Sequence, residues 1–582
     1  MGSDMAADWV AVAELAQLVP GRPTGVDAAG VELVLIRSDA GIRAYEGRCP
    51  HQGTLLAEGE IRDGALVCRA HHWSFDLDSG RCRGPGGQCL RSYPVRIEAG
   101  RVLVAVGGAR AGAAAPAARV RPAELPGPRS LPLIGDLHRV RRSAFHLTLE
   151  EGARRWGTLY RFRFGRRPMA VVSDAELANA VLRARPDDFR RSSQLERVSV
   201  LGVGTGGIFM AEGERWRRQR PVITQSLDAG HLRQFFPTLL KVTERLERRW
   251  RAPGAPRDGR AVQADLMRFT VDVTASLAFG QDINTLEDRG EVIQQHLDKI
   301  FPTIQRRLLA PFPYWRWLRL PGDRDLERSV RRIYATIADF VAAARAQLES
   351  CPELCERPAN LLQSLLVAAA ADTRFGEREV ADNVLTMLLA GEDTTANTLA
   401  WALYFLAGHP QVQERIAAEV AAAVPGGRLT DFGQLRELVY VDAVIQETMR
   451  LKPVAPINIV EANRDLDIGP LRLRRGDAVV ILARAIALRE PAFADHPERF
   501  DPSRWLRGDA GRRGFHPHSF MPFGSGPRLC PGRSLALLEM KAVLAMVGAA
   551  FRVEPAVDLA LVRERLAFTM SPEGLRLRLV AR

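Results

Sequence analysis

The sequence predicts a multidomain chain in which a small all-β module precedes a mainly α domain with a minor β part. Three observations carry that expectation. At 582 residues the chain is too long for a single hydrophobic core. Its N-terminal stretch reads as short strands: VELVLIR, ALVCRA, SYPVRIE and RVLVAV are β-branched or alternating, with Gly/Asp turns between them. From about Ala144 to Gly548 the apolar spacing becomes helical, interrupted by strand pairs such as LYRFRFG–PMAVVS. Between the two regions, VGGARAGAAAPAARVR is small, apolar and aperiodic and reads as a linker. PAELPGPRSLPLIG follows, too proline-rich for a helix interior. The expected boundaries are 1–105, 106–121 and 122–582.

Composition narrows the function classes. Hydrophobic residues make up 46% and charged residues 26%, which argues against large-scale disorder. The net charge of +13 comes almost wholly from arginine, since Lys241, Lys299, Lys452 and Lys541 are the only lysines. These cations are scattered rather than gathered in a stripe, and no nucleic-acid reading motif is present, so no nucleic-acid partner is expected. Residues 1–105 hold 11 Arg and 13 Asp/Glu, a net of −2, which leaves +15 for the remainder. A slightly acidic module beside a basic one suits electrostatic docking. Seven cysteines are too few for a disulfide scaffold of this length. MGSDMAADWVAVAEL lacks the pattern of a signal peptide, and position 6 is Ala where a myristoylation signal needs Ser or Thr. No run of 18 apolar residues offers a transmembrane segment, so the expected location is the reducing cytoplasm.

The strongest early motif is Cys49-Pro50-His51, 16 residues, then Cys68-Arg69-Ala70-His71. Two loops, each offering a thiolate and an imidazole, can hold a 2Fe–2S cluster with both thiolates on one iron. A Cys2His2 zinc site is the competing use of the same ligands. CPHQG…CRAHHWSFD closely resembles the Rieske family over roughly residues 10–105, including Trp73 and Phe75-Asp76 after the second loop. The resemblance implies Cys49, His51, Cys68 and His71 as cluster ligands. High-potential members of that family have a disulfide between the loops and hydroxyls donating to the sulfurs. The corresponding positions here are Thr54 and Ala70, and Trp73 and Phe75. Fewer hydrogen bonds to sulfur lower the potential, so the resemblance is to a ferredoxin-type electron donor. His72 and Arg69 depart from the usual Gly and Pro; His72 reads as a tolerated surface residue, and Cys82 and Cys89 as free thiols.

Near the C-terminus, Phe523-Gly524-Ser525-Gly526-Pro527-Arg528-Leu529-Cys530-Pro531-Gly532 offers one cysteine in a glycine-rich loop ahead of the helical run RSLALLEMKAVLAMV. Glycines let the backbone approach a flat cofactor and give N–H groups to a sulfur. The helix dipole would favour a thiolate there. The loop matches F-x-x-G-x-R-x-C-x-G, the cysteine-ligand motif of the cytochrome P450 family, at every fixed position. Three more motifs resemble that family in order. Glu447 and Arg450 form E-x-x-R on one helix face, with Arg499 of HPERF as the implied third member of a structural Glu–Arg–Arg network. Ala390-Gly391-Glu392-Asp393-Thr394-Thr395 resembles the oxygen-binding helix: Gly391 would leave space over the haem, Thr394 would bond back to a carbonyl and bend the helix, and Asp393 with Thr394 would be the acid–alcohol pair. Trp216 and Arg220, at W-x-x-x-R spacing, would meet a haem propionate, as would Arg528.

The P450 resemblance spans about residues 122–582 and implies haem b held by Cys530, with the overall reaction R–H + O2 + 2e− + 2H+ → R–OH + H2O. No flavin or nicotinamide module is present, so a separate NAD(P)H-dependent flavin reductase is the implied electron source, feeding the Rieske 2Fe–2S cluster. The implied pocket draws on Leu201–Met210, the helix before Asp393, Ala455–Ile459 and Phe568–Met570; these are mostly apolar and favour a lipophilic substrate, hydroxylated or epoxidised. Four other readings compete with this one. A Rieske non-haem oxygenase needs a 2-His-1-carboxylate motif that is missing. A redox or gas sensor would lack the acid–alcohol pair or carry an output module. A peroxide-driven enzyme would not need the Rieske module. That module could also serve a different acceptor. Gly202-x-Gly204-x-x-Gly207 lacks the strand, helix and acid of a dinucleotide site. Cys351 with Cys355, a lone pair beside Pro352, reads as holding no metal, and His516 with His518 as structural rather than ligating.

Overall fold

The computed structural model describes every residue except 1–8, 29–30, 39–40, 50–54, 70–72, 81–89, 106–118, 199–205, 254–257, 289–292, 309, 311–312, 319, 494–495 and 507–517. The chain divides into two compact units, a small one built on residues 1–119 with 490–495 and 507–519, and a large one of residues 120–489, 496–506 and 520–582.

The small unit is all-β among its described residues, apart from short 3-10 turns. One antiparallel sheet runs Thr24–Ala28, Val31–Ser38, Gly41–Glu46, Ser92–Tyr93; a second runs Trp9–Glu14, Arg101–Ala105, Val95–Glu98. The continuous apolar run Leu33–Ile36 within Val31–Ser38 is explained by burial on both faces. Leu33 and Leu35 pack with Val102 and Val104, while Val34 and Ile36 pack with Tyr45, Leu56 and Phe75. The strands Glu60–Arg62, Ala65–Val67 and Ser74–Asp76 form a third antiparallel sheet. Its first turn is Asp63-Gly64, both at positive φ (48° and 69°), which suits the twist of a two-residue hairpin.

The large unit is mainly helical with small sheets. The expected hairpin Leu159–Phe164/Arg167–Val172 edges a five-stranded sheet that continues through Ala478–Leu482, Ile457–Ala462 and Phe189–Arg191. The longest helix, Glu377–Gly408, is buried over 382–388 and again over 395–403, and packs along helix Val262–Phe279. Helix Arg533–Ala550 starts three residues after Cys530, as the apolar run predicts.

Helix Val439–Leu451 presents the expected ion pair. Arg450 Nε and Nη2 donate to the two carboxylate oxygens of Glu447 at 2.7 and 2.8 Å, and both side chains are fully buried. Such a pair is tolerated only if the remaining polar atoms are satisfied. Here the Asp501 N–H and Trp505 Nε1–H each reach Glu447 at 3.0 Å, and Arg450 Nη1 donates to Pro497 O at 2.6 Å. Arg499 does not fill its expected place. It is exposed and offers only its carbonyl oxygen, 3.4 Å from Arg450 Nη2. The second arginine is Arg504, whose buried side chain lies 3.5 Å from Glu447. The 3-10 turn Pro502–Trp505, capped by Asp501, carries Arg504 and Trp505 onto the carboxylate together. Arg504→Ala is therefore expected to cost about 3 kcal/mol, the scale for removing one partner of a buried charge pair. Arg499→Ala should stay within about 0.5 kcal/mol. Equal shifts of the two variants in denaturant unfolding followed by helical circular dichroism would contradict this assignment.

Candidate active site and cluster loops

Helix Glu377–Gly408 is interrupted in its burial, not in its hydrogen bonding. Between two buried stretches, Ala390 is exposed and Leu389, Gly391, Asp393 and Thr394 are half-buried, so one turn in mid-helix faces a recess. Thr394 Oγ1–H bonds back to Ala390 O at 2.7 Å, as its position predicts. Asp393 Oδ2 accepts from Thr569 Oγ1–H at 2.9 Å. Burial lifts the Asp393 carboxyl to about 6, against the Thr569 hydrogen bond and with help from the Asp298 charge. Acid and alcohol are thus neighbours in sequence, but each is hydrogen-bonded elsewhere.

The cysteine loop is built on glycine. Gly526 stands at φ 71°, and a Cβ there would lie 2.7 Å from Arg183 Cα and 2.8 Å from Leu182 O, so no other residue fits. Cys530 N donates to Phe523 O at 3.0 Å and closes the loop. The thiol is accessible yet desolvated, so it also faces a recess. Burial pushes it up, opposed by the Gly532 N–H and the charge of Arg220. A Cβ on Gly532 would stand 3.9 Å from Cys530 Sγ.

Around this loop lies a group of arginines with too little negative charge. Arg528 lies over the Trp216 ring at 4.7 Å, donates to Ala211 O at 2.6 Å and pairs with Glu212. Arg220, one helical turn after Trp216 in helix Gly213–Ser226, donates to Leu529 O at 2.6 Å. Arg185, 3% exposed, has Glu212 at 3.6 Å and a buried Nε with no hydrogen bond; Arg528 Nε also lacks one. The Arg191 N–H donates to the same Glu212 at 2.9 Å, and its guanidinium lies over Phe209 at 3.6 Å. Burial, then Arg185, lowers Arg191 to about 9; burial lowers Arg528 to about 10, with Arg185 and Arg220 adding to the shift.

In the small unit, Cys49 and Cys68 are buried in one core cluster with Phe75, Leu56 and Leu66. Cys68 N donates to Trp73 O at 2.7 Å across the end of the hairpin Ala65–Val67/Ser74–Asp76. His51, His71, His72, Thr54, Ala70, Cys82 and Cys89 lie outside the described residues, as do Gly202, Gly204 and His516.

The Cytochrome P450 family model matches residues 125–579, and the Rieske [2Fe-2S] domain model matches residues 8–94. This chain belongs to the cytochrome P450 family and carries its own Rieske domain. Curated P450 relatives are similar along most of their length. Protein LUTEIN DEFICIENT 5, chloroplastic, of Arabidopsis thaliana is 27% identical over 463 residues, 77% of this chain and 76% of the relative. The mitochondrial 25-hydroxyvitamin D-1 alpha hydroxylase of Homo sapiens is 30% identical over 476 residues, 78% and 91% respectively. Cytochrome P450 3A13 of Mus musculus is 25% identical over 444 residues, 74% and 86%. The P450 is a mono-oxygenase, with haem and a 2Fe–2S cluster as its cofactors. No helix among the described residues is long and apolar enough to cross a membrane.

The residues present fit a haem. An accessible thiol in a desolvated recess suits an iron ligand, and Arg185 and Arg528, sharing the one carboxylate of Glu212, with Arg191 beside them, suit two propionates. The expected reason for Gly391 needs correcting. A Cβ there would lie 2.4 Å from Thr274 Oγ1, so the missing side chain serves the close approach of helix Val262–Phe279 rather than space over the haem. Gly206 and Gly207 have a similar use: a Cβ on Gly207 would lie 2.4 Å from Asp382 O, and Gly206 N donates to Asp382 Oδ2 at 2.8 Å. Sequence reasoning missed Arg185, Arg191 and Glu539, and it placed Thr569 in the pocket without joining it to Asp393. RPDDFRR holds the first two without any spacing that marks them, and Thr569 is distant in sequence from Asp393.

Glu539, on helix Arg533–Ala550, is fully buried and accepts from Thr395, next to Thr394. Burial raises its carboxyl to about 8 from 4.5. Between those values the folded chain holds a proton that the unfolded chain has lost. The stabilisation is therefore fully present below pH 4.5 and is lost as pH rises through 8. Glu539→Gln, neutral throughout, is expected to flatten the decline in melting temperature across this window. An unaltered pH slope would mean that Glu539 is ionised in the fold.

Proposed function

We propose that this P450 hydroxylates or epoxidises a lipophilic small molecule with O2, taking electrons through its own Rieske cluster from a separate NAD(P)H-dependent flavin reductase. The observation that carries this reading is the presence of both redox domains in one chain. Joining donor and acceptor in one chain would give an effective concentration on the order of millimolar. The cysteine usage suits the reducing cytoplasm.

In this reading Cys49, His51, Cys68 and His71 hold the cluster, and Cys530 holds the haem iron. Arg220, Arg528 and Trp216 position the propionates, with Arg185 and Arg191 adding charge. Gly526 and Gly532 shape the cysteine loop, and Phe523 closes it. When bound, the haem supplies oxygen activation and insertion. The chain's own part is to seat an apolar substrate against half-buried Phe209, Phe301, Ile457, Ile459 and Phe568, and to hold a proton at Asp393 for relay through Thr394 Oγ1. A carboxyl near 6 is well matched to proton delivery at neutral pH. The human relative named for 25-hydroxyvitamin D supports a lipophilic substrate class.

His71→Ala tests the electron route. It should lose the cluster, stop reductase-driven hydroxylation of a substrate found by spectral screening, and leave hydrogen-peroxide-driven hydroxylation intact. Reductase-driven turnover at the wild-type rate without the cluster would mean that the Rieske domain serves another partner. Cys530→Ser should abolish the thiolate-haem band of the reduced protein with CO; an unchanged spectrum would rule out this ligand. Thr394→Ala should keep haem and substrate binding but divert electrons to peroxide, and unaltered coupling of reductant to product would refute the alcohol role.

A further inference from the structure

The acid proposed above is held by a hairpin whose tip is strained. Strands Arg563–Ala567 and Thr569–Glu573 pair so tightly that Ala567 faces Thr569 with Phe568 alone between them. Phe568 stands at φ 81°, a conformation costly for a bulky side chain, and one that persists only where the surroundings enforce it. Two kinds of contact enforce it. Past the tip, Met570 N donates to Val454 O at 2.8 Å and Trp401 Nε1 donates to Met570 O at 3.1 Å. At the tip, the Phe568 ring stacks on Phe301 with centroids 4.6 Å apart and planes within 5°, and meets Phe209 edge-on at 5.9 Å. Phe301 belongs to helix Ile300–Leu308 and Phe209 to the turn before helix Gly213–Ser226, so three separate elements meet at this tip.

The next residue, Thr569, is 6% exposed. It donates to Asp393 Oδ2 at 2.9 Å and accepts from Asn397 Nδ2 at 3.4 Å, and Gln263 Nε2 in turn donates to Asn397 Oδ1 at 2.7 Å. Thr394 Oγ1–H is meanwhile spent on Ala390 O. We infer that Thr569 is a positioning residue that latches Asp393 away from Thr394, and that the strained Phe568, pinned by Phe301, is the handle through which a lipophilic molecule in the pocket opens the latch. This rests on the acid–alcohol reading above and deepens it. A molecule that separates the Phe568 and Phe301 rings removes the hold at the tip itself and leaves only the hydrogen bonds past it. The adjoining Thr569 then shifts, and Asp393 becomes free to turn to Thr394. Proton supply is thereby tied to occupancy.

The test uses the full-length holoprotein, reduced with dithionite, freed of excess reductant and mixed with air-saturated buffer without added organic substrate. The readout is the return of the ferric haem band. Thr569→Val, which keeps the shape and loses the donor, is expected to speed that return about fivefold, the factor equivalent to one hydrogen bond of ordinary net strength. Thr569→Ser should recover the slow rate, and the double variant Asp393→Asn/Thr569→Val should lose the gain. Phe568→Ala and Phe301→Ala should both be fast, since each unpins a strained tip. Phe568→Gly, which adopts this φ without strain, should be slower than Phe568→Ala. A wild-type rate in Thr569→Val, or a double variant as fast as the single, overturns the latch. Slow Phe568→Ala and Phe301→Ala variants overturn the handle. The acid role itself is read separately: Asp393→Asn that leaves hydroxylation fully coupled refutes that role, whereas Asp393→Asn that uncouples while Thr569→Val stays slow refutes the latch alone.

Discussion

The large unit depends on one constraint: helix Glu377–Gly408 must be buried on almost every side and yet open over a single turn. Burial on either side of the opening is achieved by close approach. Gly391 admits Thr274 of the neighbouring helix, and Gly206 with Gly207 lie against Asp382 and Thr386. A helix gripped this closely cannot slide or rotate, because side chains in a dense interior have few alternative packings. The open turn, with Ala390, Asp393 and Thr394, is therefore fixed in place by contacts made elsewhere along the helix. Glu539 adds a hydrogen bond from the helix that follows the cysteine loop, so the turn and the thiol are referred to the same framework.

Two groups of buried charge show how differently structure and function use arginine. Around Glu447, two arginines, an indole N–H and a backbone N–H surround one carboxylate, and Arg450 spends its outward N–H groups on carbonyls. That network gathers two cations on one fully buried carboxylate, far from any recess, and reads as scaffold. Around Glu212, the Arg185 and Arg528 guanidiniums share one carboxylate that also accepts the Arg191 backbone N–H, two guanidinium Nε atoms are left without hydrogen bonds, and burial together with repulsion from Arg185 lowers Arg191 to about 9. A fold does not keep such an excess for stability. The imbalance is what a dianionic partner would correct, and it lies beside the cysteine loop.

Much of this is legible in the sequence, because the chemistry depends on local spacing. The C-x-H and C-x-x-H pairs, the cysteine loop, E-x-x-R and the Asp-Thr step each lie within a few residues, and the two domains they announce are the ones the chain contains. What is not legible depends on the path of the chain between elements. Arg499 and Arg504 are equally plausible by composition, and only the turn Pro502–Trp505 decides between them. Gly391 reads as a gap over the cofactor so long as the helix packed against it is unknown. Thr569 and Asp393 are 176 residues apart in sequence and meet only once the C-terminal hairpin folds back onto the central helix. Side-chain pairs of that kind leave no local periodicity to read.

Fusion of the donor changes what must be controlled. A separate electron carrier limits reduction by its own encounter rate, and scarcity protects against wasted reductant. A tethered donor, on the proposed reading, is present at an effective concentration on the order of millimolar at all times, and that protection is lost. Control must then act on something other than electron arrival. Protons are the remaining requirement, and in this chain the acid that would supply them is bound to a hairpin anchored in the pocket wall. A threonine hydroxyl is well suited to such control. Its single hydrogen bond has modest net strength, enough to bias the orientation of a half-buried carboxyl and weak enough to yield to the apolar surface that a lipophilic substrate buries. The strain at Phe568 lowers the cost of that release further, because part of the work of moving the tip is already stored in its backbone.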